Sequence, residues 1–191
     1  MGVGRPNVMS VMKSDVPFPI HKCTVLPEWI DYNSHMNVAF YNLAFDKAVD
    51  EFFDLIGIGV DYVEHTNCSA FILESHVHYL QEVVEGDPLR FTLRLLDLDQ
   101  KRVHYFLEMF HDRDGYLAAT SEQILIHLDL GTRRTSPFPD DALEKLSELV
   151  EIHNEAEVPE LVGHVIGIQH KSAWPQNKNF TEISEMRRRH P

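Results

Sequence analysis

A chain of 191 residues, 43% hydrophobic and 25% charged, is long enough to bury a core without disulfides and has the balance of a single folded domain. With 17 basic against 30 acidic side chains the formal charge is −13, which repels a polyphosphate backbone and argues against nucleic acid as a partner. No apolar run reaches the roughly 18–20 residues of a membrane helix, so no membrane partner is expected. Residues 1–15 have no long apolar core and no small-residue cleavage site, so no secretory signal is expected, and Pro6 stands where a myristoylation site needs Ser or Thr. Two cysteines, Cys23 and Cys68, read as reduced thiols of a cytoplasmic protein.

Residues 1–17 mix Gly, Pro, Met and Ser without a period and read as an arm. Ile20 to Leu26 is a short β-prone run closed by Pro27. A polar stretch from Asp31 to Asn37 then leads into a helical pattern. There Asn42, Asp46, Asp50 and Asp54 recur every four residues, while Phe40, Leu43, Phe45, Val49 and Phe52 fill the rest of the circumference. So narrow a polar stripe predicts a helix wrapped by other structure on most sides, with Asn37 as N-cap and Gly57 and Gly59 as the stop. A loop is expected as far as Ser69.

Beyond it the period becomes two. Ala70 to Val83 is one run, and Leu89, Phe91, Leu93 and Leu95 alternate with Arg90, Thr92 and Arg94 in the next. Val103 to Met109 is the third and Tyr116 to Leu130 the fourth, the last two joined by the turn Asp112-Arg113-Asp114-Gly115. Short links predict that all four strands form an antiparallel meander. Asp140 opens an amphipathic helix carrying Leu143, Leu146 and Leu149. The divisions are an arm over 1–17, a domain over 18–153 and a polar extension over 154–191, whose Arg187-Arg188-Arg189 reads as tail. One long helix against one antiparallel sheet makes the fold class α+β. The open flank of such a sheet favours dimerisation.

The segment joining the first strand to the long helix carries the chemistry. A helix N-terminus offers free N–H groups and partial positive charge, which hold a developing oxyanion. Asp31, just upstream, is placed as base or nucleophile, with His35 and Asn37 beside it. The same residues also make ordinary turn formers in a capped loop. His76 and His78 share a strand face with Glu74, but no third ligand stands at recognisable spacing, so no metal site is expected.

Asp31-x-x-Ser34-His35-Met36-Asn37 followed by Tyr41 resembles the Asp-x-x-Gly-His-x-Asn pattern of hotdog-fold acyl-CoA thioesterases, the 4-hydroxybenzoyl-CoA thioesterase-like group. Tyr79-Leu80-Gln81-Glu82 with Gly86-Asp87, and Lys101-Arg102-Val103-His104, resemble later segments of the family in the same order. Similarity is strongest to the betainyl-CoA thioesterases of carnitine catabolism, through residues 27–33 and 37–46. Ser34 departs from the usual Gly, and Val38 stands where many relatives carry a second Asn.

The resemblance implies an antiparallel sheet wrapped around one long central helix, and a homodimer or homotetramer with its site at the subunit interface. It implies hydrolysis of an acyl-CoA with no cofactor beyond the CoA of the substrate. Asp31, His35 and Asn37 are then the catalytic candidates, and Trp29, Tyr32, Val38, Tyr41 and Glu74 the acyl-side candidates. The backbone N–H groups of Asn37 to Ala39 are expected to hold the oxyanion. Lys101, Arg102, Arg133 and Arg134 are the cations available to CoA phosphates in an otherwise acidic chain. An enoyl-CoA hydratase and a non-catalytic acyl-CoA binding module are the rival readings.

Overall fold

The computed structural model describes residues 17–168. The expected arm and the Arg187-Arg188-Arg189 tail therefore lie outside the described residues, apart from Pro17. The chain divides between Val158 and Pro159 into two units; of the second, residues 159–168 are described, with a turn over 160–163 in which Gly163 lies at φ +70°.

In the first unit, β1 (Phe18–Thr24) leads through a 3-10 turn at Pro27–Trp29 to α1 (Val38–Ile56). A short α2 (Val60–Thr66) precedes β2 (Cys68–Tyr79), β3 (Pro88–Leu98), β4 (Arg102–His111) and β5 (Leu117–Asp129). A two-residue β6 (Arg134–Thr135) and α3 (Asp140–His153) complete it. No helix among the described residues is long and apolar enough to cross a membrane.

The wide apolar arc of α1 explains its place. Tyr41, Ala44, Phe45, Ala48, Val49, Phe52 and Ile56 are all buried, and Phe45 meets Phe91 of β3 edge to face at 5.7 Å. Each such large side chain contributes about 1.5–3 kcal/mol by leaving water. Gly57 ends the helix at φ +87°, a left-handed conformation that costs glycine no Cβ clash. Residues 60–66, expected as loop, form α2, whose C-cap Asn67 at φ +55° takes the left-handed conformation that asparagine tolerates.

The sheet order is β1-β3-β4-β5-β2, with β6 added to β5. All the pairings are antiparallel. The meander expectation holds for β3, β4 and β5 and fails for β2. That strand lies at the far edge against β5, so residues 80–87 cross three strand spacings, roughly 14 Å, to reach β3. The crossing is held by bonds that no strand period encodes. Leu80 and Gln81 N–H both donate to Ala118 O, Val25 N–H to Asp87 O and Gly86 N–H to Val25 O. Val83 is fully buried within it. This crossing matters for function, because it runs beneath the N-terminus of α1.

β3 is buried on both faces. The Arg94 guanidinium donates to the carbonyls of His153, Ala156 and Glu157, and His153 Nδ1 accepts Leu95 N–H at 2.8 Å. A register shift between Leu95 and Asp97 accompanies that N–H leaving the ladder. The end of α3 is thereby clamped to the sheet.

Candidate active site

The turn before α1 is a closed loop. Ile30 and Met36 form an isolated antiparallel bridge, Asp31 N–H donates to His35 O at 3.1 Å, and Ser34 N–H to Asp31 O at 3.0 Å. Within it the Asp31 carboxylate folds back, its Oδ1 accepting Asn33 N–H at 2.7 Å. Ser34 sits at φ +68°, where glycine is favoured. Both the backbone and the carboxylate of Asp31 are thus fixed before any substrate arrives.

Asn37 joins this turn to the helix. Its Oδ1 accepts Ala39 N–H at 3.0 Å, the expected N-cap bond, and its Nδ2 faces Asp31 Oδ2 at 3.5 Å. Phe40 N–H is committed to Asn37 O. The oxyanion expectation is corrected here, since the cap consumes the Ala39 amide and Asn37 N–H donates to Trp29 O. Of the amides from Asn37 to Phe40, Val38 N–H is the one with no acceptor among the described residues. Val38 itself is 55% exposed at the start of α1.

The crossing supplies the floor. Met36 N–H donates to Val83 O at 2.9 Å, and the Tyr41 ring stands perpendicular to that of Tyr79 at 5.1 Å. Burial pushes the Tyr41 hydroxyl above its ordinary pKa, so it stays protonated. Tyr116 donates to Glu82 O at 3.2 Å, and Asp87 Oδ2 accepts Val84 N–H at 2.8 Å. The other Asp87 oxygen lies 3.3 Å from Nε2 of the buried His111, which stacks on Tyr116.

Other expected site residues fall elsewhere. His35 turns its Nδ1 to Met36 O at 3.2 Å and meets Asp31 through its backbone carbonyl. Trp29 is 3% exposed, stacks on Phe40 and lies under the Lys47 ammonium; it is a core ring with no surface left for a substrate. Tyr32 is at the other extreme, 94% exposed. Glu74 is exposed on β2, five positions from Tyr79 and therefore roughly 16 Å along the strand from the Asp31 end.

The cations gather at the opposite end of the sheet. Lys101 Nζ reaches Thr135 Oγ1 at 3.5 Å, beside Arg134 on β6, and Arg133 holds the turn before it at φ +56°. Arg102 is bound to Asp99 at 2.6 Å, and this bond holds the Asp99 carboxyl below the usual range. The 12 residues of β2 separate the two ends by roughly 36 Å. A single chain does not bring these cations to Asp31.

The model of the thioesterase-like superfamily matches residues 25–146, which contain the Asp31 turn, α1, the crossing and β2 to β5. The chain belongs to that superfamily. This thioesterase is 38% identical to the betainyl-CoA thioesterase of Pseudomonas aeruginosa, over 78% of this chain and 93% of the relative. It is 33% identical to the L-carnitine dehydrogenase/betainyl-CoA thioesterase of Rhizobium meliloti, over 73% of this chain but 28% of that longer protein. A Staphylococcus aureus protein solved in complex with CoA superposes with a TM-score of 0.74 at 34% identity, covering 79% of this chain and 96% of its own. A putative thioesterase of Pseudomonas putida gives 0.69 at 31% identity, covering 81% and 98%. The sheet curled on one long helix is the expected hotdog fold, and thioester hydrolysis is the reaction class.

Sequence reasoning left Tyr79 and Glu82 of this thioesterase without a role, although both lie in a segment that matched the family. The signal that would have found them is the sheet order, because only a β2 at the far edge sends residues 80–87 under the site.

Proposed function

We propose that this thioesterase hydrolyses betainyl-CoA to betaine and CoA, as a cytoplasmic enzyme of carnitine catabolism. The observation that carries the chemistry is the juxtaposition of a pinned carboxylate, Asp31, with the uncommitted amide of Val38 at a helix N-terminus. Asp31 acts as general base. With Oδ1 held by Asn33 and Oδ2 beside Asn37, it can take a proton without leaving its turn, whereas direct attack on the thioester would disrupt that turn. Water adds to the carbonyl carbon as its proton passes to Asp31. The Val38 amide and the α1 dipole stabilise the oxyanion; the C–S bond then breaks and the thiolate of CoA leaves. None of these steps draws on a metal or on a cofactor other than the substrate's own CoA.

The working unit is a homodimer, alone or paired again. Among the described residues β2 is an edge strand of 12 residues that exposes Phe71, Ile72 and Leu73, a surface suited to another strand. Antiparallel pairing of two β2 edges about a two-fold axis covers it. The same operation sets the cationic end of one subunit beside the Asp31 end of the other. The partner subunit's Lys101, Arg133 and Arg134 are then the groups that receive the CoA phosphates. The two thiols, Cys23 and Cys68, both unpaired, support a reducing compartment. The substrate choice is supported by the relatives named for betainyl-CoA.

The test is thiol release across betainyl-CoA, acetyl-CoA, benzoyl-CoA, a medium-chain ester and the tert-butyl isostere of betainyl-CoA. We expect kcat/KM at least about tenfold higher for betainyl-CoA than for its neutral isostere, equivalent to about 1.4 kcal/mol. Equal rates for the two would remove the betaine assignment and leave a general acyl-CoA thioesterase.

A further inference from the structure

We infer that the trimethylammonium end of the acyl group is read by the ring of Tyr79 together with the carboxylate of Glu82. The inference rests on the betainyl-CoA reading above and names the part of the site that would enforce it. The aromatic residues nearest Asp31 in sequence cannot do this, because Trp29 is packed in the core and Tyr32 stands out in solvent.

The crossing offers a different pair. Tyr79 ends β2 and projects to the α1 side of the sheet, where its ring meets Tyr41 at 80°. Tyr41 is 4% exposed and anchored over the Val83 backbone, so it fixes the Tyr79 ring. Tyr79 itself is 48% exposed, and pairing of β2 backbones at the edge leaves a ring on the inner face in the cleft. An aromatic face attracts a quaternary ammonium through its quadrupole and, unlike a hydrogen-bond acceptor, demands no N–H from it.

Glu82 follows three residues later, at the start of the crossing. Its backbone carbonyl accepts the Tyr116 hydroxyl at 3.2 Å, one residue before Val83, whose backbone bonds the Tyr41 hydroxyl, and its negative charge reaches the Tyr41 and Tyr116 hydroxyls. The next residue, Val83, is bonded to Met36 of the Asp31 turn. A platform, a negative charge and the hydrolytic turn are therefore connected through one short stretch of chain. In betainyl-CoA only one methylene separates the cation from the thioester carbonyl, so a cation subsite has to adjoin the hydrolytic turn as this one does.

The experiment measures kcat/KM for betainyl-CoA and for the tert-butyl isostere with the wild type, Tyr79→Leu, Tyr79→Phe and Glu82→Gln. The quantity read is the ratio of the two values within one preparation, from which any loss of folded enzyme cancels. We expect the ratio to fall about tenfold in Tyr79→Leu, to fall in Glu82→Gln, and to be retained in Tyr79→Phe, which keeps the ring. A wild-type ratio in both Tyr79→Leu and Glu82→Gln overturns the inference, and a wild-type ratio in one of them removes that residue from the subsite. A ratio near one in the wild-type enzyme instead overturns the betainyl-CoA reading, and this inference with it.

Discussion

Asn37 serves Asp31 and the central helix at once: its side-chain oxygen takes Ala39 N–H at 3.0 Å while its amide nitrogen faces the Asp31 carboxylate at 3.5 Å. The two tasks separate by substitution. Asn37→Ser keeps a capping oxygen and loses the amide, so stability should hold within a few tenths of a kcal/mol while kcat falls. Asn37→Ala should lose about 1 kcal/mol of stability as well. Asn37→Asp keeps the cap but sets a second carboxylate beside Asp31. Like charges raise each other's pKa, so the acid limb of the pH–kcat profile should move to higher pH. Urea titrations and pH–rate profiles of the three variants check this; an unmoved acid limb in Asn37→Asp would show that the pair does not interact.

Asp31→Asn should lose about 10²–10⁴ in kcat, the usual worth of a general base. The amide oxygen can still accept Asn33 N–H, so the turn and the melting temperature should be kept. The choice of base over nucleophile has its own readout. In a single turnover of wild-type enzyme in ¹⁸O-water, the label should enter the released acid and leave Asp31 unlabelled. Label in the peptide that carries Asp31 would assign it as nucleophile.

These elements differ in how far the sequence alone discloses them. The four-residue recurrence of Asn42, Asp46, Asp50 and Asp54 fixes the face of α1, and Asn37 marks its start, because both are local effects within one or two helical turns. Alternation along β3 to β5 is equally local. The place of β2 is not local. The Gly86-Asp87-Pro88 link has the composition of a hairpin turn, and only the bonds of residues 80–87 to Val25, Met36 and Ala118 make it a crossing. For the same reason Tyr79 and Glu82 escape a linear reading. Trp29 shows the converse: proximity to Asp31 in sequence suggests a ligand contact, while its ring is buried against Phe40.

Ser34 carries a strain that glycine would relieve. At φ +68° its Cβ crowds the backbone, at a cost of about 1–2 kcal/mol for an L-residue. Glycine returns about 0.5–1 kcal/mol of that as chain entropy in the unfolded state. Ser34→Gly should therefore raise stability by up to about 1 kcal/mol, a melting-temperature gain of a few degrees. A lower melting temperature would mean that the serine side chain contributes more than its backbone costs.

His153 makes the fold sensitive to mild acid. Its ring is fully buried, and burial, with Arg94 adding to it, lowers its pKa from 6.5 to about 4. Between those values the unfolded chain binds a proton that the folded chain refuses. The contribution is therefore complete above about pH 6.5, declines by about 1.4 kcal/mol per pH unit below it, and is gone near pH 4. Urea unfolding at pH 7, 5.5 and 4.5 should show this slope. His153→Gln, which retains an acceptor for Leu95 N–H, should flatten it; an identical slope in the variant would shift the acid sensitivity to other groups.

The separation of Asp31 from Lys101, Arg133 and Arg134 across the length of β2 yields a test of the dimer. If the cations act across the interface, Lys101→Ala combined with Arg133→Ala and Arg134→Ala should raise KM far more than it lowers kcat, because a phosphate contact is remote from the bond being cut. Arg102→Ala should do less, since Asp99 already neutralises that guanidinium. Asp31→Asn should be nearly inactive. Mixed dimers of the triple variant with Asp31→Asn contain one site built from an intact Asp31 of the first subunit and intact cations of the second. Co-expression of the two, with free exchange of subunits, should recover about a quarter of wild-type activity at low substrate, because half the dimers are mixed and each has one working site. Differently tagged subunits allow the mixed dimer to be isolated and assayed alone. Activity no greater than the sum of the two parents would place Asp31 and its phosphate contacts in the same subunit, and would require a pocket that runs the length of one sheet instead of crossing between two.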